Sequence, residues 1–333
     1  MGTIIPVFIP HAGCPHQCSF CNQKKISGEH SANIKNAKKQ IEKYLEWTKP
    51  SKDNQIAYYG GSFTGLDVNN QKEFLELAER YVKSGIIGSI RMSTRPDYIN
   101  NDILDLLDQY SVECVELGVQ SLDKDVLVAT ERGHSGKDVI KAVELLKARG
   151  FKVGTQLMVG MPKQTWKKIY ETVELIIKLK PNVARIYPLL VVKGAPLVKS
   201  YKNGTFKPIS LKTAIAQSDY VYQKLSKAGI NVIRLGLQAD DELCADGNII
   251  EGPFHPAFGE LVKSYPYRYE INKQLSKIKN NNIKITINYN SKNASKIRGM
   301  KKENVISWEK NTEIDIHFNE STNSSFNIET LKV

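Results

Sequence analysis

QIAYYGGSFTGLDVNNQKEFLELAERYVKSGIIGSIRMST, residues 55–94, holds one full turn of the pattern that decides the fold. Gln55–Gly60 is a short apolar run bounded by a glycine pair and reads as a buried strand. Val68–Ser84 spaces its apolar residues as a helix does and stops at Gly85. Ser89–Thr94 is a second apolar run that ends before Arg95-Pro96. Strand, helix, strand at this spacing is the unit of a parallel sheet, because parallel neighbours need a crossover long enough to hold a helix.

The same alternation extends in both directions. Toward the N-terminus lie a strand, Thr3–Ile9, and a helix, Ile34–Trp47. Toward the C-terminus come a helix at Asn101–Tyr110, a strand at Val112–Val119, and a helix at Lys137–Arg149 with Ser135 as N-cap and Gly150 as stop. Phe151–Val159 is a strand, Thr165–Lys180 a helix closed by Pro181, and Val183–Val191 a strand. Leu211–Ala228, between Ser210 and Gly229, is a helix, and Val232–Leu237 a last strand. Six strand–helix units and one further strand are too few for a closed eight-fold barrel. The expected fold is α/β, a partial (β/α)6 TIM-like barrel with a small C-terminal α+β appendage. Its site should lie at the C-terminal strand ends. A doubly wound sheet shares the pattern, and periodicity leaves both open.

The texture changes near Gln238. Residues 1–240 are read as the barrel, 241–270 as a linker or lid, and 271–333 as a small basic domain. Hydrophobic residues make up 41% and charged residues 25% of the 333, which allows a core and excludes a disordered or collagen-like chain. No apolar run approaches a membrane span, and the apolar start has no basic flank, so a cytoplasmic protein is expected. Lys and Arg outnumber Asp and Glu by 47 to 35, a formal charge of +12 that suits an anionic partner.

Directly after the first strand comes His11-Ala-Gly-Cys14-Pro-His-Gln-Cys18-Ser-Phe-Cys21. Three of the five cysteines crowd into this loop, which points to metal and not to disulfides. Three thiolates on a [4Fe–4S] cluster leave one iron open to a small molecule with amino and carboxylate groups. A structural zinc would need four protein ligands, with His11 or His16 as the fourth. The third reading is plain core or loop cysteines. Cys114 falls in a strand and reads as core, and Cys244 as a free thiol in the loop after the barrel.

The Cys-x3-Cys-x2-Cys spacing with Phe20 before the last cysteine resembles the radical S-adenosylmethionine (SAM) superfamily. GGSFTG (60–65), STRPD (93–97), VELGVQS (115–121) with RGH (132–134), VGMP (159–162), IYPLLVVKGAPL (186–197) and YKNGTFKPIS (201–210) follow in an order similar to the catalytic subunit of Elongator. The resemblance covers about residues 1–240. It implies that Cys14, Cys18 and Cys21 hold a [4Fe–4S] cluster whose open iron chelates SAM, which one electron cleaves to a 5′-deoxyadenosyl radical. It assigns Gly60, Gly61 and Ser62 to the methionine end of SAM. Arg95, Glu116, Gln120 and Ser121 are expected at ribose and carboxylate, Gly160 and Met161 on the adenine side, and Lys193 toward the substrate as a catalytic group. It also implies an RNA substrate, tRNA, and an electron donor such as flavodoxin or ferredoxin. The acetyltransferase domain of that subunit has no counterpart in these residues, so a short, acetyltransferase-less relative is expected, and the use of acetyl-coenzyme A does not carry over from the resemblance.

Two further stretches carry expectations. Asp240–Gly259 could fold over the barrel mouth, with Glu251 and His255 as loop residues. Residues 271–310 hold ten basic and two acidic side chains, with strands at Lys284–Tyr289 and Glu313–Phe318 around a turn that opens a helix. A glycine loop before a helix, flanked by strands, is similar to the RNA-binding KH module, although the loop reads Gly299-Met-Lys-Lys302 and the motif's second glycine is absent. Three functions compete: a radical SAM enzyme acting on RNA, one acting on a small molecule as coproporphyrinogen oxidase does, and a non-catalytic metal-stabilised RNA binder.

Overall fold

The structure is a computed structural model that describes residues 2–15, 17–27, 33–238, 241–245, 247–277, 283–311, 315–322 and 326–332. Two compact units divide the chain, Met1–Phe254 and His255–Val333. In the first, β1 (Ile4–Phe8) leads through the cysteine loop to α1 (Gln23–Ser27) and α2 (Ile34–Leu45). Next come β2 (Gln55–Tyr59), α3 (Val68–Lys83), β3 (Ser89–Thr94), α4 (Asn101–Leu107) and β4 (Val112–Gln120). Two helices follow β4, α5 (Lys124–Ala129) and α6 (Gly136–Ala148), then β5 (Lys152–Val159), α7 (Trp166–Leu179) and β6 (Val183–Pro188). The unit ends with β7 (Val191–Val192), α8 (Leu197–Lys202), α9 (Leu211–Lys227), β8 (Asn231–Leu235), α10 (Asp241–Cys244) and β9 (Ile249–Glu251).

Seven strands form one sheet in the order β1-β2-β3-β4-β5-β6-β8, every pair parallel. A doubly wound sheet reverses its strand order at a switch point. Here the order never reverses. With right-handed crossovers, the crossover helices that pack in the core, among them α3, α6, α7 and α9, fall on one face, and the sheet curls around the other as an open partial barrel. That settles the ambiguity periodicity left.

Alternation along the strands sorts the two faces. Ile56 and Tyr58, Ile90 and Met92, Val115 and Leu117, and Ala184 and Ile186 are fully buried in the core shared with the helices. Phe74, Leu75 and Ala78 of α3 and Val139, Val143 and Leu146 of α6 pack on them. Truncating one such aliphatic side chain to Ala costs about 2–5 kcal/mol. The intervening residues, among them Tyr59, Glu116, Gln156 and Arg185, face the concave side and line a cavity. The expected caps are in place. Ser135 and Asp138 form a reciprocal capping box at α6, and Ser210 Oγ accepts from the Thr213 amide at 3.2 Å.

Two stretches depart from expectation. The strand expected over Val183–Val191 breaks after Pro188, and its last residue instead starts β7, which pairs antiparallel with β9. The segment read as a linker or lid over 241–270 contains α10 and β9, and then most of a long helix, α11 (Phe258–Leu275), with Pro266 inside it. Its prolines and glycines hide the helix, and its buried residues, Phe258, Val262, Ser264 and Ile271, do not fall on a single stripe. After α11, the second unit has β10 (Ile283–Asn290), α12 (Ala294–Arg298), α13 (Glu303–Asn311), β11 (Asp315–Ser321) and β12 (Asn327–Lys332). Of the strand expected at 313–318, residues 313 and 314 lie outside the described residues. Among the described residues no helix is long and apolar enough to cross a membrane.

Candidate active site

A cavity of about 750 Å³ occupies the concave side of the sheet and reaches the loops at the C-terminal strand ends. Cys14, Cys18 and Cys21 all line it, together with Gly60, Gly61, Arg95, Glu116, Gln120 and Arg132. The cysteine loop is held there by backbone. Its Ala12 carbonyl accepts from the Ser62 amide at 2.8 Å, and the Ser19 amide donates to the Thr130 carbonyl at 3.1 Å. A Cβ on Gly61 would lie 2.4 Å from the Ala12 oxygen and 2.7 Å from that of Ile9. Gly61 therefore lets two loops touch backbone to backbone, a role that only the fold reveals.

Burial pushes the Cys14 thiol up and that of Cys21 up to about 12, and the neighbouring Cys18 sulfur adds to both. Deprotonating Cys14 and Cys21 needs positive charge, as a metal cluster supplies. Nearby donors already aim at sulfur: Arg132 Nη1 donates to Cys18 Sγ at 3.3 Å and Gln23 Nε2 to Cys21 Sγ at 3.4 Å. Arg132 Nη2 also donates to the Gly118 carbonyl at 2.6 Å. A Cβ on Gly118 would sit 2.6 Å from that nitrogen, so glycine in β4 makes room for the guanidinium. His11, a candidate zinc ligand, accepts the Gln23 amide on Nε2 at 2.9 Å. The other, His16, lies outside the described residues. Among the described residues no group of three His, Cys, Asp or Glu side chains is gathered to hold a single ion. Three thiols that line one cavity are a donor set that suits iron–sulfur ligation.

Deeper in the cavity a buried ion network spans four strands. Glu116 accepts from Arg91 Nη1 at 3.0 Å, Arg185 Nε at 2.5 Å and the Tyr59 hydroxyl at 3.0 Å. The Arg185 guanidinium lies over the Tyr59 ring at 5.0 Å. Burial would raise the Glu116 carboxyl, but the two guanidinium groups outweigh it and hold it below the ordinary carboxylate range. One carboxylate thus balances two arginines, and Arg234, Arg95 and Arg132 line the same cavity. Arg95 is buried and grips Asp97 with Nε and Nη2 at 3.0 and 2.8 Å. Its Nη1, like Arg132 Nε, is buried without a protein acceptor. The cavity wall is therefore cationic, with donors to spare beside three thiols.

A thiol trio at this place in a parallel half-barrel is the hallmark that sequence comparison bears out: residues 8–176 match the model of the radical SAM superfamily and residues 181–268 that of the radical SAM C-terminal domain. The chain belongs to the radical SAM superfamily. An uncharacterized protein of Methanocaldococcus jannaschii is 33% identical over 62% of this chain and 66% of its own length. A tRNA uridine(34) acetyltransferase of Methanocaldococcus infernus is 27% identical over 79% of this chain and 56% of its own. The solved structure of the archaeal Elp3 of Methanocaldococcus infernus, with residues 1–46 deleted, aligns with a TM-score of 0.63 at 26% identity, covering 82% of this chain and 63% of that one. The chain thus spans a little over half to two thirds of the length of these relatives.

The remaining expected residues of this radical SAM chain divide into two groups. Gln120 lines the cavity, is held at φ +64° and accepts from Gln156 Nε2 at 3.3 Å. Ser62 is fully buried, 3.0 Å from Thr94 Oγ1, and accepts the Arg95 amide at 3.3 Å, so it fixes the loop that carries Arg95. Ser121 points away from the cavity to the Asp123 amide at 3.1 Å and Thr172 at 3.4 Å. Gly160 and Met161 do not line the cavity; Met161 packs in a satellite core with Val126 and Leu189, and Met158 stands at the wall instead. Lys193 is exposed, and its carbonyl accepts Asn22 Nδ2 at 2.8 Å, tying the cysteine loop to β7. Cys114 is buried, as expected of a core residue, and Cys244 is exposed. Glu251 accepts the Tyr201 hydroxyl at 3.2 Å, and His255 Nδ1 accepts the Ala257 amide at 3.1 Å. Arg132 belongs to the RGH motif, yet its place in the sequence assigns it no role. Its one signal is a charged residue next to a glycine turn, between two helices.

Proposed function

We propose that this chain cleaves SAM reductively and uses the resulting radical to modify RNA, with tRNA as the substrate. Cys14, Cys18 and Cys21 would hold a [4Fe–4S] cluster, which supplies the electron, received in turn from a flavodoxin- or ferredoxin-like donor. The observation that carries this reading is the pair of buried, acceptor-free nitrogens, Arg95 Nη1 and Arg132 Nε, in the wall that also bears the thiols. An amino acid carboxylate is the ligand such donors lack, and SAM has one. Gly60 and Gly61 edge the same wall, Gln120 and Gln156 offer amides to hydroxyl groups, and the arginine-rich interior suits a phosphate-bearing substrate. The protein's own share is to bind, orient and exclude water. Glu116, spent on Arg91 and Arg185, serves by fixing the cavity floor. Similarity to the tRNA uridine(34) acetyltransferase and to Elp3 supports tRNA as the substrate class.

The test is anaerobic reconstitution followed by iron and sulfide counts and a 5′-deoxyadenosine assay. Cys18→Ala should lose both iron and cleavage with its circular dichroism unchanged. Full cleavage by that variant would refute the assignment. Nucleoside mass spectrometry of tRNA incubated with and without the protein tests the substrate, and identical profiles would remove RNA from the reading.

A further inference from the structure

The second compact unit, His255–Val333, has a sheet and a core of its own. Its sheet has β10 at the centre, β11 parallel on one side and β12 antiparallel on the other. α12 and α13 connect β10 to β11, and Ile297 and Trp308 on these helices pack with Ile285, Ile287 and Tyr289 of β10. The turn between the two helices is Gly299-Met-Lys-Lys302. Gly299 stands at φ +73°, and a Cβ there would fall 2.9 Å from the Asn304 side chain. Asn304 is buried, and its Nδ2 donates to the Ile297 carbonyl and to Ser264 Oγ, both at 3.0 Å. The turn is thus locked from beneath. Lys302 replaces a glycine of the KH pattern yet holds φ +61°, the conformation glycine supplies most easily, and its amide donates to the Gly299 carbonyl at 3.2 Å.

Charge completes the surface. Residues 283–311 carry seven basic and two acidic side chains. Arg298 is already engaged, with Glu320 at 2.6 Å and the Tyr289 hydroxyl at 3.0 Å. Lys301 and Lys302 are exposed at the tip of the turn, and among the described residues no carboxylate pairs with them. A glycine-headed loop between two helices of a strand–helix–helix–strand unit is the device by which KH modules clamp about four backbone nucleotides of a single strand.

We propose that Gly299–Lys302 is an RNA clamp: Lys301 and Lys302 hold the phosphates of a single-stranded segment against the turn. The choice of RNA over another polyanion rests on the substrate reading above.

The test is fluorescence anisotropy of the full-length chain with a labelled tRNA transcript and with a labelled single-stranded heptaribonucleotide, over a salt series. Lys301→Glu/Lys302→Glu should weaken binding to both by about tenfold or more and flatten the log–log salt dependence by about 1.4, two single-strand phosphates at about 0.7 each. Lys301→Arg/Lys302→Arg should bind as the parent does. If the glutamate variant binds as tightly as the parent, or the arginine variant loses as much as the glutamate one, the clamp is overturned while RNA as substrate survives. If the parent binds neither RNA, the clamp and the RNA reading fall together, and SAM cleavage is left to be judged by its own assay.

Discussion

Arg132 reaches from the turn after α5 to within 3.3 Å of the Cys18 sulfur, 114 residues away in sequence. A charge-assisted hydrogen bond of this kind is worth about 1.5–3 kcal/mol to a thiolate. It joins the cysteine loop to a β4 carbonyl through one guanidinium.

Replacing Arg132 by Met removes that donor and its charge. The three thiols remain, so iron should still load. Donors to cluster sulfur set reduction potential, and losing one with a positive charge should move the potential to more negative values. SAM cleavage should fall by about tenfold or more. Spectroelectrochemical titration beside the cleavage assay checks both, and an unchanged potential would refute the role.

Gly118→Ala should copy that defect without touching the arginine. The new Cβ would lie 2.6 Å from Arg132 Nη2, the mobile end of a long side chain. The barrel can therefore keep its fold while the guanidinium is pushed off Cys18. We expect a melting temperature near that of the parent with the potential shifted as in Arg132→Met. A large loss of stability would show that β4 cannot accept the side chain.

Glu116→Gln should behave in the opposite way, costing stability first. The change leaves Arg91 and Arg185 buried without their shared counter-charge, a loss of about 3–5 kcal/mol. Urea unfolding measures it, and a loss under about 1 kcal/mol would mean that the network is better solvated than its burial indicates.

Acid should weaken the fold through His134. Burial, with the neighbouring Arg132 charge, lowers its pKa to about 3. The folded protein therefore binds its proton less readily than the unfolded chain, whose histidine titrates near about 6.5. The stability His134 contributes is complete above about pH 6.5 and is lost as pH falls toward 3, on the order of 5 kcal/mol at most. Unfolding free energies measured across this range should fall less steeply in His134→Gln, and parallel slopes would contradict the prediction.

Much of the barrel is legible in the amino-acid sequence. Ser135, Ser210, Gly85 and Gly150 mark helix ends through local backbone chemistry, and the apolar runs mark strands through local periodicity. The helix at Phe258–Leu275 escapes such a reading because Pro266 interrupts its pattern and because its buried residues do not fall on a single stripe. At the site, the thiol trio is readable from spacing alone. The uses of Ser121, Met161 and Lys193 are not, since a residue near a strand end can turn toward the cavity or away from it.

The amino-acid order by itself determined the strand–helix alternation, the three-thiol loop after the first strand and the basic turn at 299–302, all of which depend on neighbours in the chain. Tertiary structure alone decided the unreversed strand order that curls the sheet, the Glu116 network across four strands and the meeting of Arg132 with Cys18. These depend on which distant residues share a face, and periodicity carries no record of that.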